Sequence, residues 1–301
     1  MMDYHKPVLA AESIEWLVSK KVRGTYVDAT FGGGGHSRLI LQRLAPDAQL
    51  FAFDQDADVL EYLPEDPRFT FVQHNFRYLK QFMKFYGVSE LDGVLADLGV
   101  SSHQLDTAER GFSWRFDADL DMRMSKEREL TAADVLNTYS PEALQQLFSR
   151  YGELINSRSL ARHLAKAAKH KAFRTVSDLL REAEPFVRGH KPRYLAQLFQ
   201  ALRIEVNEEM QALSDFLQQA LDLLAPGGRL VVIAYHSIED RLVKRFLKTG
   251  NPEGKVQKDE YGNILRPFKV LTRKPILPSP REIEANPRAR SAKMRVGEKT
   301  A

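Results

Sequence analysis

Hydrophobic positions in the first hundred residues fall into short runs separated by amphipathic stretches. Tyr26–Ala29, Leu50–Phe53, Phe69–Val72 and Gly93–Ala96 are mainly apolar and bounded by polar or glycine-containing turns, which predicts strands. Ser37–Leu44, Ala57–Leu63 and Arg77–Tyr86 lie between them and predict helices. Strands alternating with helices imply a parallel sheet with right-handed crossovers. The alternation stops after Asp97-Leu-Gly-Val-Ser-Ser102. Helical pattern then dominates through Thr131–Tyr139, Pro141–Tyr151, Asn156–Lys169 and Val176–Glu184, with Ser140 and Thr175 placed as N-terminal caps. Glu208–Leu224 predicts an amphipathic helix with Met210, Leu213, Leu217, Leu221 and Leu224 on one face. Ala225-Pro-Gly-Gly228 predicts a turn into a buried strand, Arg229–Tyr235. A Pro-, Gly- and charge-rich tail from Lys248 ends in a last strand candidate, Lys293–Val296. The expected organisation is a discontinuous α/β domain, residues 1–105 and 201–301, with an inserted helical substrate-recognition domain at 106–200.

The first strand opens into Gly32-Gly33-Gly34-Gly35 and then a helix, so the backbone there is free to take positive φ and to meet a ligand without an intervening Cβ. Asp54 ends the second strand about twenty residues on, where an acid accepts hydrogen bonds from ribose hydroxyls. Ser37 or Arg38 falls where G-x-G-x-x-G needs its third glycine. That spacing disfavours a pyrophosphate and favours a nucleoside cofactor without phosphates, S-adenosylmethionine above all. Asp28, Asp54, Asn75-Phe76 and Asp97 then line the carboxyl edge of the sheet, where open α/β sheets bind ligands.

Charge changes the picture further. The net charge is only +4, yet residues 241–301 hold 16 Lys/Arg against 6 Asp/Glu, and residues 158–193 hold 10 against 3. Two basic segments on an otherwise acidic chain point to a polyanion. Arg158, Arg162, Lys166, Lys169 and Lys171 in the insertion, with Arg288 and Arg290 in the tail, are candidate phosphate contacts. The two segments are expected to flank the methyl-donor edge of the sheet. The chain has no cysteine and eight histidines, so no disulfide forms and no metal site is expected. Its polar start does not read as a signal peptide, and no uncharged apolar run approaches the ~20 residues of a membrane span. A soluble, cytoplasmic protein is expected, its oligomeric state open, with a dimer among the options.

Several motifs together resemble the RsmH/MraW family, the bacterial small-subunit rRNA cytosine-N4 methyltransferases. They are Asp28-Ala-Thr-Phe-Gly with Gly-Gly-His36-Ser-Arg, Asp97-Leu-Gly-Val-Ser-Ser with Gln104-Leu-Asp106, Glu109-Arg-Gly-Phe-Ser113, and Leu120-Asp-Met-Arg-Met124. Phe199-Gln-Ala-Leu-Arg203-Ile-Glu-Val-Asn207, His236-Ser-Ile-Glu-Asp-Arg241 and Asn286-Pro-Arg-Ala-Arg-Ser291 follow in the family's order. The likeness runs nearly the whole length. It departs at His103, where the family has proline, and at Ala118-Asp119, where Gly-Pro is usual. The resemblance implies a class I S-adenosylmethionine-dependent, Rossmann-like methyltransferase with an inserted helical domain. It implies a target in the decoding region (P site) of 16S rRNA, met within the small ribosomal subunit. It also implies that Gly34, Gly35, His36, Asp54, Phe76, Asp97 and Gln104 contact the cofactor.

The chemistry agrees. Methylation at cytosine C5 proceeds through a thiolate adduct, closed to a chain without cysteine, whereas methylation of an amine stays open. An exocyclic cytosine amine needs acceptors on its protons. Asp97, the Leu98 carbonyl, and Ser101 or Ser102 are the candidates, with Asp97 equally suited to gripping the cofactor. Phe112, Trp114, Phe116 and Tyr235 are the candidate platforms for the target base. Three other readings stand beside this one: an NAD-dependent oxidoreductase, an RNA-binding assembly factor with a vestigial cofactor fold, and a methyltransferase of proteins or metabolites.

Overall fold

The computed structural model describes residues 7–18 and 21–300, the side chain of Ser102 excepted. Within them the chain divides into two compact units, one running to Gly99 and resuming at Gln211, the other spanning Val100–Met210. The sequence reading drew its lines at 105/106 and 200/201. A line at 200 would cut a helix, Lys191–Asn207, that is continuous through that residue.

The first unit carries a seven-stranded sheet: β1 Thr25–Asp28, β2 Gln49–Asp54, β3 Phe69–Gln73, β4 Leu91–Asp97, β5 Leu224–Ala234, β6 Phe268–Val270 and β7 Lys293–Lys299. The spatial order is β3-β2-β1-β4-β5-β7-β6. The first five strands are parallel, as expected. The tail strands are not: β7 runs antiparallel to β5, and β6 antiparallel to β7. This is a Rossmann-like sheet extended by two antiparallel edge strands, and its order reverses direction between β1 and β4. Ligands of open α/β sheets bind at the carboxyl ends beside such a switch point.

Helices α1 Ala10–Val18 and α2 Gly35–Arg43 cover one face, packing Leu9, Leu17 and Ile40 with Tyr26, Leu50, Leu95, Val231 and Met294. α3 Leu79–Phe85 lies on the other, where Phe82 meets Phe53 edge-on at 5.9 Å. With both faces covered, the central strands are apolar throughout rather than alternating. The expected helix at 57–63 is a 3₁₀ segment, Ala57–Tyr62, capped by Asp56. The Ala225–Gly228 turn sits inside β5: Leu224 pairs with Leu91 but Arg229 with Gly93, so the turn residues bulge from the ladder, with Gly227 at φ +80°.

The second unit is helical: α4 Ser102–Asp106, α5 Ala132–Thr138, α6 Pro141–Arg150, α7 Ser157–His170, α8 Val176–Ala183 and α9 Lys191–Asn207. Thr131, Ser140 and Thr175 accept from backbone N–H groups at the N-termini of α5, α6 and α8, as their residue types suggest. Its own core gathers Leu136, Phe148, Leu164, Leu179, Leu198 and Leu202, all fully buried. α10 Glu209–Leu223 follows after Glu208, whose left-handed φ of +50° separates it from α9. α10 buries Leu213, Phe216, Leu217, Ala220 and Leu223, a face turned from the expected one, leaving Met210 and Leu221 part-exposed. α11 Ser237–Thr249 and α12 Pro280–Ala285 complete the chain. No helix among the described residues is long and apolar enough to cross a membrane.

Candidate active site

Strand ends β3, β2, β1 and β4 set Phe76, Asp54, Asp28 and Asp97 side by side along the carboxyl edge. Asp28 is fully buried and turned to structure. Its Oδ2 accepts the Ser37 hydroxyl at 2.7 Å and its Oδ1 the Thr30 N–H at 3.1 Å, tying the glycine loop to α2. Asp54 accepts one N–H on each oxygen, from Gly32 at 2.8 Å and Asp56 at 2.9 Å. A carboxylate has about four acceptor sites, so these bonds do not exhaust it.

The loop is shaped by its own packing. Gly34 has φ +72°, and a Cβ there would lie 2.7 Å from the Phe31 ring. Phe31 is fixed in turn against Phe69 and Phe71. Gly35 begins α2, and a Cβ on it would press on Pro7 at 3.0 Å. Phe76 stands in a 3₁₀ turn capped by Asn75 and meets Phe216 of α10 edge-on at 5.1 Å.

Asp97 is the most elaborately held of the acids. Its N–H donates to Thr30 Oγ1 at 2.7 Å, and its Oδ1 accepts the Tyr235 hydroxyl at 2.8 Å. Its Oδ2 faces His36 Nδ1 at 3.7 Å. The other imidazole nitrogen, Nε2, lies 3.1 Å from the Val8 carbonyl, which can only accept. His36 therefore carries its proton on Nε2 and offers a lone pair on Nδ1. Burial lowers the His36 pKa to about 4, so the ring is neutral at pH 7.

Burial raises all three strand-end acids. Asp28 reaches about 7 against the pull of its Ser37 and Thr30 bonds. Asp54 reaches about 6, held back by the N–H groups of Asp56 and Gly32. Asp97 reaches about 7, burial and the negative charges of Asp28 and Glu239 outweighing the Tyr235 bond. Three acids in a row, Asp28 fully buried and Asp54 and Asp97 partly so, form a site suited to a cationic ligand.

Most of the remaining expected site residues belong to the helical unit. Ser101 and Gln104 bind each other in a capping box at the start of α4, Ser101 Oγ accepting the Gln104 N–H and Gln104 Oε1 the Ser101 N–H, both at 3.1 Å. Gln104 is buried. The Ser102 side chain lies outside the described residues. Arg158, Arg162, Lys166 and Lys169 share the exposed face of α7, opposite buried Leu160, Ala161, Leu164 and Ala165. Lys171 differs, since its ammonium pairs with Asp178 at 2.9 Å. In the tail, Arg290 is exposed and Arg288 half-buried.

Several motif residues prove structural. Arg110 is buried and donates to the carbonyls of Arg123 and Met124. Asn207 accepts the Met124 N–H and donates to the Met122 carbonyl, both at 2.8 Å. Gly111, at φ +70°, leaves no room for a Cβ, which would fall 2.4 Å from the Asp119 carbonyl oxygen. His236 and Glu239 form a capping box for α11, and Asp240 pairs with Arg295 at 2.6 Å. Of the candidate aromatic platforms, Phe112 is buried, Trp114 packs edge-on to Phe199, and Tyr235 is bound to Asp97. Phe116 is the one still substantially exposed, at 43%. Thr30, Ser37 and the hydroxyl of Tyr235 escaped the sequence reading as holders of the acids. Thr30 and Ser37 were marked only by their closeness to Asp28 and the glycines, and Tyr235 lies 138 positions from its partner.

Residues 2–300 match the family described as the MraW methylase family. The chain is 56% identical over 298 residues to a protein of Parabacteroides distasonis named ribosomal RNA small subunit methyltransferase H, covering 98% of this chain and 97% of that one. It is 52% identical over 299 residues to the protein of that name from Bacteroides thetaiotaomicron, covering 99% and 98%.

Proposed function

Because the chain belongs to the MraW methylase family, we propose that it methylates the exocyclic N4 amine of a cytosine in the decoding region (P site) of small-subunit 16S rRNA. The methyl donor is S-adenosylmethionine. The observation that carries the cofactor reading is the row Asp54, Asp28, Asp97 at the switch point, beside a loop in which a Cβ at Gly34 or Gly35 would crowd Phe31 or Pro7. An acidic, desolvated edge suits a ligand that brings a sulfonium and an ammonium and no phosphate. A dinucleotide would bring a pyrophosphate to the same carboxylates and be repelled.

In this reading Asp54 accepts from the ribose hydroxyls beside the N–H groups of Gly32 and Asp56. Gly34 and Gly35 bring backbone against the ligand, and Phe76 abuts the adenine. His36 shapes the pocket around Asp97 as a neutral ring. Gln104 is the remaining cofactor contact, and Ser101 and Ser102 assist at the target amine. When bound, the cofactor supplies an electrophilic methyl carbon on positively charged sulfur. The protein's task is to align amine, methyl and sulfur, and to draw the amine lone pair out of conjugation with the ring by accepting its N–H. Asp97 accepts that N–H with its carboxylate oriented by the Tyr235 hydroxyl and its backbone N–H held by Thr30. A base within folded RNA must be swung out to reach this edge. The basic face of α7 (Arg158, Arg162, Lys166, Lys169), with Lys171, Arg288 and Arg290, grips rRNA phosphates. Work on ribosomal RNA places the protein in the cytoplasm.

The test is direct. Purified protein is incubated with cofactor labelled on the methyl group and small subunits lacking the modification, and the labelled nucleotide is mapped. Label on N4 of one decoding-region cytosine is expected. Label on another base, or on ribosomal protein, overturns the assignment. Cofactor binding without any turnover favours an assembly factor instead.

A further inference from the structure

The segment between α11 and β6 folds into a small hairpin. Lys258 bridges Ile264 in antiparallel fashion, the Leu265 N–H donates to the Gln257 carbonyl at 2.9 Å, and the Asp259 N–H to the Asn263 carbonyl at 2.9 Å. Its tip is braced by one side chain. Asp259 Oδ1 accepts the N–H groups of Tyr261 at 2.9 Å and Asn263 at 2.8 Å, and its Oδ2 accepts the Asn263 amide at 2.9 Å. Gly262, at φ +85°, completes the turn. The outcome is unusual for an aromatic: Tyr261 is 89% exposed at the end of an ordered loop. Val256, Ile264 and Leu265 are also about half exposed, at 53%, 48% and 46%.

An aromatic held into water by a hydrogen-bonded turn gains nothing for folding, since its burial energy is forfeited. The charge around it points to the occupant. Lys255, Lys258, Arg266, Lys269, Arg273 and Lys274 are all exposed, against the acids Glu253, Asp259 and Glu260, of which Asp259 is spent on the turn. We propose that the Gln257–Leu265 hairpin is an RNA-binding finger, with Tyr261 stacking on an unpaired base and the flanking lysines and arginines on phosphates. Base-on-aromatic stacking combined with a basic track is how unpaired RNA is held without sequence readout. The inference deepens the rRNA reading above and rests on it for the identity of the RNA.

The experiment measures affinity for transcribed small-subunit rRNA and methyl transfer separately, with the full chain. Tyr261→Ala should weaken RNA binding about tenfold, and Tyr261→Phe, which keeps the ring, should restore it. Cofactor affinity should stay unchanged in both. Replacing Lys258 and Arg266 by Ala should flatten the slope of log affinity against log salt by roughly 1.4 to 1.8 units. Unchanged RNA affinity in Tyr261→Ala overturns the proposal. So does a shift from dimer to monomer in sedimentation without loss of RNA affinity, which would assign the finger to a second copy of this chain. If wild-type protein binds rRNA through Tyr261 but transfers no methyl group, only the methylation reading falls.

Discussion

Asp54 and Asp97 occupy equivalent strand ends yet are held for different tasks. Asp54 bonds only to backbone N–H groups, one of them from the glycine loop itself. Asp54→Ala should weaken S-adenosylmethionine binding by about 1–3 kcal/mol, the scale of a hydrogen bond to a charged group. Calorimetry with unchanged affinity would remove it from the ribose site. The Asp97 carboxylate is oriented by the Tyr235 hydroxyl, so its loss should fall on turnover. Asp97→Ala should lower kcat far more than rRNA affinity if the carboxylate engages the amine in the transition state. A defect cured by excess cofactor would make it a cofactor ligand instead. The pH dependence separates the two roles further. The Asp97 pKa rises from 3.8 to about 7 on folding. Between those values the folded protein holds a proton that the unfolded chain has released, so this group's contribution to stability falls as pH rises through that window and is level above it. A sulfonium favours the ionised carboxylate, so cofactor affinity should rise with pH up to about 7 and then level. Asp97→Asn should flatten that profile. Calorimetric titrations across the window decide it.

At the scale of elements, the β1–α2 turn is one mechanical piece. Asp28 holds Ser37 and Thr30, Thr30 holds Asp97, and Asp54 holds Gly32. Three strand ends are thus linked through one loop. Ser37→Ala leaves a buried Asp28 oxygen without its 2.7 Å partner, which should cost about 1–3 kcal/mol in denaturant unfolding. Gly34→Ala meets both a left-handed backbone and the Phe31 ring 2.7 Å away. It should lower the melting temperature and weaken cofactor binding together, whereas Gly33→Ala, at a position without positive φ, should do less. Equal effects at the two glycines would mean the loop adapts freely.

For the whole molecule, the charge segregation is the property to test. Arg158, Arg162 and Lys166 project from one exposed helix face. Replacing all three by Ala should flatten the salt dependence of rRNA or small-subunit affinity by roughly two units while leaving cofactor affinity alone. An unchanged slope would make the basic face of α7 a solvated surface. Lys171→Ala should matter less for RNA, because its ammonium is shared with Asp178.

Strand-helix alternation, the glycine loop, the strand-end acids and the helical insertion were all legible along the chain, because each depends on residues within a few positions of one another. Periodicity reports which face is buried, and glycine, cap and charge chemistry act locally. The tertiary structure decided what needs distant partners. It placed β7 antiparallel beside β5, because pairing direction follows from the path of a tail that carries no periodic signal. It turned Asp28 from a candidate ligand contact into the buried anchor of a loop, through Ser37 and Thr30. It set the Tyr235 hydroxyl on Asp97 across 138 residues of chain and left His36 neutral beneath them. The acids themselves were written in the sequence; their raised pKa values arise from burial, which exists only once the sheet has closed over them.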